Sequence, residues 1–487
     1  MNFLSLFVLI PLLMMLGLWM SRGMKQIRAV MVTGASALLT LAVTLVVLYL
    51  CRRAAGDLSE MLFTDSLVWY APFHIRYAVG VDGISVAMLL LSALIMFTGT
   101  FASWHMQPQT KEFFLWFCLL CEGVFGFFIS LDLFTMFLFY EVALIPMYLL
   151  IGVWGSGRKE YSAMKLTLML MGGSALILMG ILGIYFGAGA STMHLSELAR
   201  QSIPVEMQRI FFPLTFVGFG VLGALFPFHT WSPDGHASAP TAVSMLHAGV
   251  LMKLGGYGCF RVALCLMPDA AREQAWIFLT LTAAGVIYGA FAACVQKDLK
   301  YINAYSSVSH CSLVLFALLM MTRTAITGAV LQMLSHGLMT ALFFALIGMI
   351  YGRTHTRDIR EMSGLMKVMP FLSTAYVIAG LANLGLPGLS GFAAEMTIFV
   401  GAFGSDDVFH RTLTVIAVTS IVITAVYILR LVGKILYGGI ENPVHLTLTD
   451  ATWEERLTVI CLIVAIAGMG LLPFGISRMV SDSVWFN

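Results

Sequence analysis

Three ionisable side chains lie deep inside otherwise apolar stretches: Glu141 in DLFTMFLFYEVALIPMYLLIGVWG, Lys253 in MLHAGVLMKLGGYG and Glu395 in GLSGFAAEMTIF. A charge at the centre of a bilayer costs at least about 2.5–3.5 kcal/mol on insertion scales, so each needs a use and a partner. Carboxyl and amine groups held there can take up and release protons; the competing use is as fixed ions that hold helices in place. Histidines add a second layer. Asn303, Ser306, Ser307 and His310 follow the spacing of one helical face, and Gln332, Ser335, His336 and Thr340 share a face in the same way. Two such stripes on consecutive apolar helices should face each other. Their imidazoles and hydroxyls could hold water and pass protons near neutral pH, or serve only as interhelical hydrogen bonds. His247 lies six residues before Lys253, about 120° round an ideal helix and roughly 9 Å away. It could join a relay only through water, and a packing role suits it equally.

The elements that carry these groups follow from composition. Of 487 residues 60% are hydrophobic and 11% charged, and mean hydropathy is +0.92; a soluble domain carries about 25% charged residues. That excludes a soluble globule. Lys plus Arg number 27 against 25 acids, which leaves no basic field for a phosphate backbone, so nucleic acid is not expected as a partner. Open sheet edges cannot face lipid, so the chain reads as an all-α polytopic membrane protein. Apolar runs give 14 expected spans: 2–20, 29–50, 84–104, 112–130, 132–153, 161–188, 210–230, 239–266, 275–295, 301–321, 325–351, 369–402, 412–437 and 457–477. Met1–Met20 has no cation before Arg22 and reads as a retained span rather than a signal peptide.

Counting alternate loops, one side holds 14 cations and the other nine, with Lys165, Lys253, Arg261 and Arg430 assigned to spans. The cation-rich side should face the cytoplasm, with both termini outside. Arg261 and Arg430 sit near span ends, where they could snorkel to the headgroups. Two spans carry helix breakers, Pro227 in LFPFHTW and the run Asn383 to Gly391. Both should be broken helices with free backbone groups near mid-membrane. They lie five spans apart, which suggests inverted repeats over spans 4–8 and 9–13 with an ion path between them.

Other patterns carry no such weight. The eight cysteines lie mostly in apolar runs and act as small hydrophobes; Cys118 and Cys121 have no second pair, so no metal or redox site is expected. Gly218-x-Gly220-x-x-Gly223 follows no strand and does not read as a dinucleotide site. His229, Asp234 and His236 in HTWSPDGH read as a turn with Asp234 as a helix cap, not as a metal site.

The motifs FYEVALIPMYLLIGVWG, PFHTWSPDGHASAPTAVSMLHAGVLMKLGGYG, QKDLKYINAYSSVSH, QMLSHGLMTALFF, YGRTHTRDIREMSGL and GLPGLSGFAAEMTIFVGAF occur in this order. The chain so resembles the antiporter-like membrane subunits of respiratory complex I, most closely the M-type chain of bacterial NADH:quinone oxidoreductase, over roughly residues 70–440. The resemblance implies a proton-pumping module of 14 helices. Helices 1–3 would fill 1–110, two inverted five-helix repeats 111–266 and 275–437, and a last helix 438–487. It implies that Glu141 is the span-5 carboxylate, Lys165 a family lysine in span 6 and Lys253 the central lysine. It likewise makes His310 and His336 bridging histidines and Glu395 the exit-side carboxylate. Nicotinamide, flavin, iron–sulfur clusters and quinone would belong to partner subunits, with no cofactor here; sister antiporter-like subunits and lipids would be its neighbours in the bacterial cytoplasmic membrane. A sodium/proton antiporter or membrane-bound hydrogenase subunit would look similar, and a non-pumping scaffold is a third possibility. One position departs: the family's usual lysine in the broken seventh span is Leu222. Either another cation then pairs with Glu141, with Lys165 the first candidate and His247 the second, or this half works differently.

Overall fold

The computed structural model describes residues 2–187, 189–201, 203–405 and 407–484. Ala188 at the end of the expected sixth span and the last three residues of the C-terminal segment lie outside them. Long apolar runs become long helices: α1 Leu6–Met20, α2 Met24–Ala54, α3 Gly83–Ala102, α4 Thr110–Ile129, α5 Leu133–Trp154 and α6 Lys159–Gly187. A short α7, Leu195–Ala199, precedes α8 Val205–Leu222 and α9 Trp231–Ser238. The chain from Thr241 to Leu266 is helical throughout but contains α10 Thr241–Leu246, a π turn at His247–Leu251, α11 Met252–Gly258 and a second π turn at Cys259–Leu264. Then follow α12 Pro268–Val295, α13 Leu299–Leu319, α14 Arg323–Thr354, α15 Pro370–Asn383, α16 Ser390–Phe403, α17 Val408–Leu436, α18 Trp453–Leu471 and α19 Pro473–Ser481. Side-chain caps mark several starts: Asp82 accepts from Ser85 N–H, Asp132 from Phe134 and Thr135, and Asp298 from Lys300 and Tyr301.

The chain is thus a mostly helical polytopic membrane protein, with departures from the sequence expectation. It is not all-α. Between α2 and α3, strands β1 Leu62–Tyr70 and β2 Ile75–Val81 form an antiparallel hairpin. Nearly all of β1 is exposed, while β2 is buried at its far end, so no clean alternation betrayed it. Among the described residues, eleven helices are long and apolar enough to cross a membrane, or twelve with the α18–α19 pair. That pair replaces the straight span expected at 457–477 and is bent by 74°, with Pro473 opening its second helix. The two expected spans outside this count are 239–266, divided by its π turns, and 369–402, which is cut in two.

Both expected breaks are present. α8 stops at Leu222, five residues before Pro227, and the chain turns through Ala224 at φ 57 before α9 begins. The Trp231 indole N–H donates to the freed Val221 carbonyl at 3.0 Å, so the break leaves that acceptor satisfied. HTWSPDGH begins in a turn at His229 and Thr230 but is helix from Trp231 on, and Asp234 lies within the first turn of α9 instead of capping it. The second break runs from Leu384 to Leu389 between α15 and α16, with Gly385 at φ +66 and Gly388 at φ +93.

Candidate functional site

Lys253 stands just after the first π turn, at 2% exposure. A π turn pairs residues five apart and disturbs the regular ladder. The Lys253 ammonium uses this by donating to the carbonyl of Ala248, five residues back. It also meets His336 Nδ1 on α14 at 2.7 Å. The His336 and His310 rings are 5.4 Å apart between centroids. On its far side His310 Nε2 lies 2.7 Å from Asn383 Oδ1, the residue at which α15 breaks. Nδ1 of His310 receives the Gln332 side-chain amide at 3.0 Å, and Glu395 Oε1 stands 3.6 Å from the same nitrogen. Asn383 Nδ2 donates to Ser306 Oγ at 3.1 Å, which Tyr427 OH also reaches at 2.7 Å. Lys253, His336, His310 and Glu395 therefore form one row across α11, α14, α13 and α16, all buried.

The two polar stripes do meet, through His310, His336 and Gln332. They do not pair along their full length. Ser306 turns to α15 and α17, Ser307 bonds back to the Asn303 carbonyl, and Ser335 donates to Ser390 Oγ at 2.8 Å, pinning the start of α16. The second break serves the site directly. A Cβ on Gly385 would stand 2.8 Å from Glu395 Oε2, and its φ lies in the left-handed region; a glycine there lets the carboxylate lie against the break.

The first half is arranged differently. Lys165 was the first candidate cation for Glu141, but its Nζ lies 2.7 Å from Asp234 Oδ2 on α9, and Tyr301 OH donates to the other oxygen at 2.9 Å. An acid one helix away has taken the lysine. Glu141 keeps Oε1 buried without a hydrogen-bond partner, and no ion pair to it is found among the described residues. It shares a face of α5 with Leu138, Ile145 and Tyr148, which are exposed. Leu222 is fully buried. His247, the second candidate, stacks on Trp231 at 5.3 Å and on His236 at 4.1 Å between ring centroids. Both its ring nitrogens are buried without partners.

Sequence reasoning missed four of these neighbours. His236 was lost when its segment was read as a turn, and Asn383 was read only as part of a break. Glu122, buried on α4 with one oxygen unpartnered, meets the same criterion that singled out Glu141. Asp82 was missed because it caps α3 outside an apolar run. It forms a buried ion pair with Arg261 in the second π turn, and Tyr257 packs against the guanidinium at 5.2 Å. Arg261 therefore does not snorkel, since a counter-ion waits at its own depth; Arg430 is exposed on α17.

A many-helix membrane protein with broken helices and a row of buried ionisable groups defines a class, that of ion-translocating membrane subunits. The chain belongs to the NADH:quinone oxidoreductase/Mrp antiporter transmembrane family, whose model matches residues 130–424. It is 38% identical to NAD(P)H-quinone oxidoreductase chain 4 2 of Microcystis aeruginosa, over 78% of this chain and 70% of that one. It is 34% identical to chain 4-1 of Synechocystis sp., over 88% and 83%. It superposes on a chain of respiratory complex I from Thermus thermophilus with bound NADH at TM-score 0.89 and 26% identity, covering 99% of this chain and 98% of that one. A chain of the Mrp complex from Dietzia sp. shares the fold at TM-score 0.85 and 19% identity, covering 99% and 96%.

Proposed function

We propose that this chain is a proton-translocating membrane subunit of an NADH:quinone oxidoreductase, driven by redox chemistry in partner subunits. The observation that carries this is the row from Lys253 to Glu395, four buried ionisable groups in sequence across the helices. The ammonium of Lys253 gives a proton to His336 Nδ1, the proton passes to His310, and Glu395 takes it from Nδ1. Closely spaced buried groups of this kind titrate as a set, so a shift at one end is felt at the other. The family takes in quinone oxidoreductase and antiporter chains alike, and the quinone oxidoreductase relatives, at 34–38% identity, favour this reading over a sodium/proton antiporter, since the chain of the Mrp complex shares the fold alone at 19%.

The remaining parts are read in the same frame. The chain makes fourteen crossings: helices 1–3 in 1–110, two inverted five-helix repeats in 111–266 and 275–437, and a last helix in 438–487. Its cation-rich loops face the cytoplasm and both termini face outward. NADH, FMN, iron–sulfur clusters and quinone are held by partner subunits, and sister antiporter-like subunits adjoin it. With Lys165 engaged by Asp234 and leucine at 222, the first half does not repeat the second. The stacked His236 and His247 are the groups that could bring a proton to Lys253, while Glu141 draws its counter-charge from outside this chain.

The test is NADH-driven acidification of vesicles holding the assembled complex. Lys253→Met and Glu395→Gln are each expected to reduce it severalfold, with the complex still assembled. Full acidification by both variants would overturn the relay, and sodium-dependent proton exchange without NADH would assign the chain to an antiporter instead.

A further inference from the structure

Beside the row, as with His336 Nε2 within it, a buried polar atom has no partner. Gln332 donates its amide N–H to His310 Nδ1 at 3.0 Å, yet its own Oε1 is buried with no hydrogen-bond partner. The residue is 2% exposed, and an amide oxygen left so has given up its water for nothing. The same Nδ1 stands 3.6 Å from Glu395 Oε1. Two groups thus converge on one nitrogen, and the nearer holds it. Because Gln332 donates to Nδ1, that nitrogen carries no proton, and the ring hydrogen sits on Nε2, where Asn383 Oδ1 receives it at 2.7 Å. The imidazole can accept a further proton only at Nδ1.

We propose that Gln332 is the gate between His310 and Glu395, a proposal that rests on the relay described above. In the arrangement seen, its N–H occupies Nδ1 and keeps His310 in the Nε2–H form, closed to a proton from either side. An amide presents two donors at one end and an acceptor at the other in nearly the same volume. Turned end for end, Gln332 offers Oε1 to Nδ1–H, which gives the stranded oxygen its partner and stabilises the imidazolium. The proton then leaves Nδ1 for the Glu395 carboxylate, restoring neutral imidazole and a neutral acid, and the amide turns back. No atom of the backbone has to move. Asn383 holds the other nitrogen throughout, itself oriented by Ser306, so the ring does not rotate while Gln332 does. Gln332 acts through His310 and is a positioning residue.

The experiment compares wild type, Gln332→Met and Glu395→Gln in the assembled complex. The readouts are the infrared band of the Glu395 carboxyl, identified by its loss in Glu395→Gln, and protons pumped per NADH oxidised. Methionine keeps the volume of glutamine and removes both ends of the amide. With Nδ1 permanently open, His310 and Glu395 should pair, and the ratio of neutral to ionised carboxyl read from the band should fall about fivefold, the size of shift one net hydrogen bond carries. Pumping per NADH should fall with it. An unchanged carboxyl band with unchanged pumping would reduce Gln332 to packing and overturn the gate. Wild-type pumping by Glu395→Gln would overturn the relay instead, and the band in Gln332→Met would still decide whether Gln332 controls the pair. Gln332→Leu repeats the comparison should the methionine variant not assemble.

Discussion

The residues that were legible in the sequence were those whose presence is costly. Lys253, Glu395 and the two histidines stood out because nothing in an apolar helix explains them, and each is found in the row. Partners were harder to read. Lys165 is the first candidate partner for Glu141 in the sequence, but pairing is decided by which carboxylate lies within reach, and that is Asp234 at 2.7 Å. Asp82 drew no notice in the sequence, and only the folded chain, which brings the start of α3 to Arg261, shows that it neutralises this cation. That pair carries its own prediction. Asp82→Asn keeps a residue able to cap α3 but strands a buried guanidinium, which should cost about 3–5 kcal/mol. Thermal unfolding of the detergent-solubilised complex should show a clear loss of stability that Asp82→Asn combined with Arg261→Met partly restores. An Asp82→Asn variant as stable as wild type would mean the guanidinium finds another acceptor.

At the scale of elements, proline and glycine announced both breaks correctly, because ring geometry and missing donors act locally. What each break does with its loose ends could not be read the same way. The Val221 carbonyl is taken by Trp231, and Asn383 is spent on His310, contacts that depend on where the chain returns. The hairpin was missed because most of β1 faces away from the protein and shows no buried alternation. At the second break, Gly385→Ala combines a left-handed backbone, costing about 1–2 kcal/mol for an L-residue, with a methyl pressed on Glu395. It should lower NADH-driven acidification while leaving the complex assembled. Unaltered pumping would show that Glu395 does not need its place against the break.

At the scale of the molecule, burial separates working helices from wrapping. The apolar windows of α13 and α14 are 94% buried, against 33% for α2 and for α17, so the row lies among helices shielded from lipid within the chain itself. Orientation is the claim to test here. The loop that holds Arg357 and Arg360 between α14 and α15 should face the cytoplasm, so Arg360→Cys should react with a membrane-impermeant thiol reagent in inverted vesicles and be protected in intact cells. The reverse pattern would turn the whole chain over. The span from Thr241 to Leu266 shows what its two π turns make possible. Each wide turn holds one residue more than a regular turn, so it resets the azimuth of all that follows while adding only about 1.5 Å of length. A rod with two such adjustments can point Lys253 at α14 at one depth and Arg261 at Asp82 at another, two bearings that a uniform screw would have tied together.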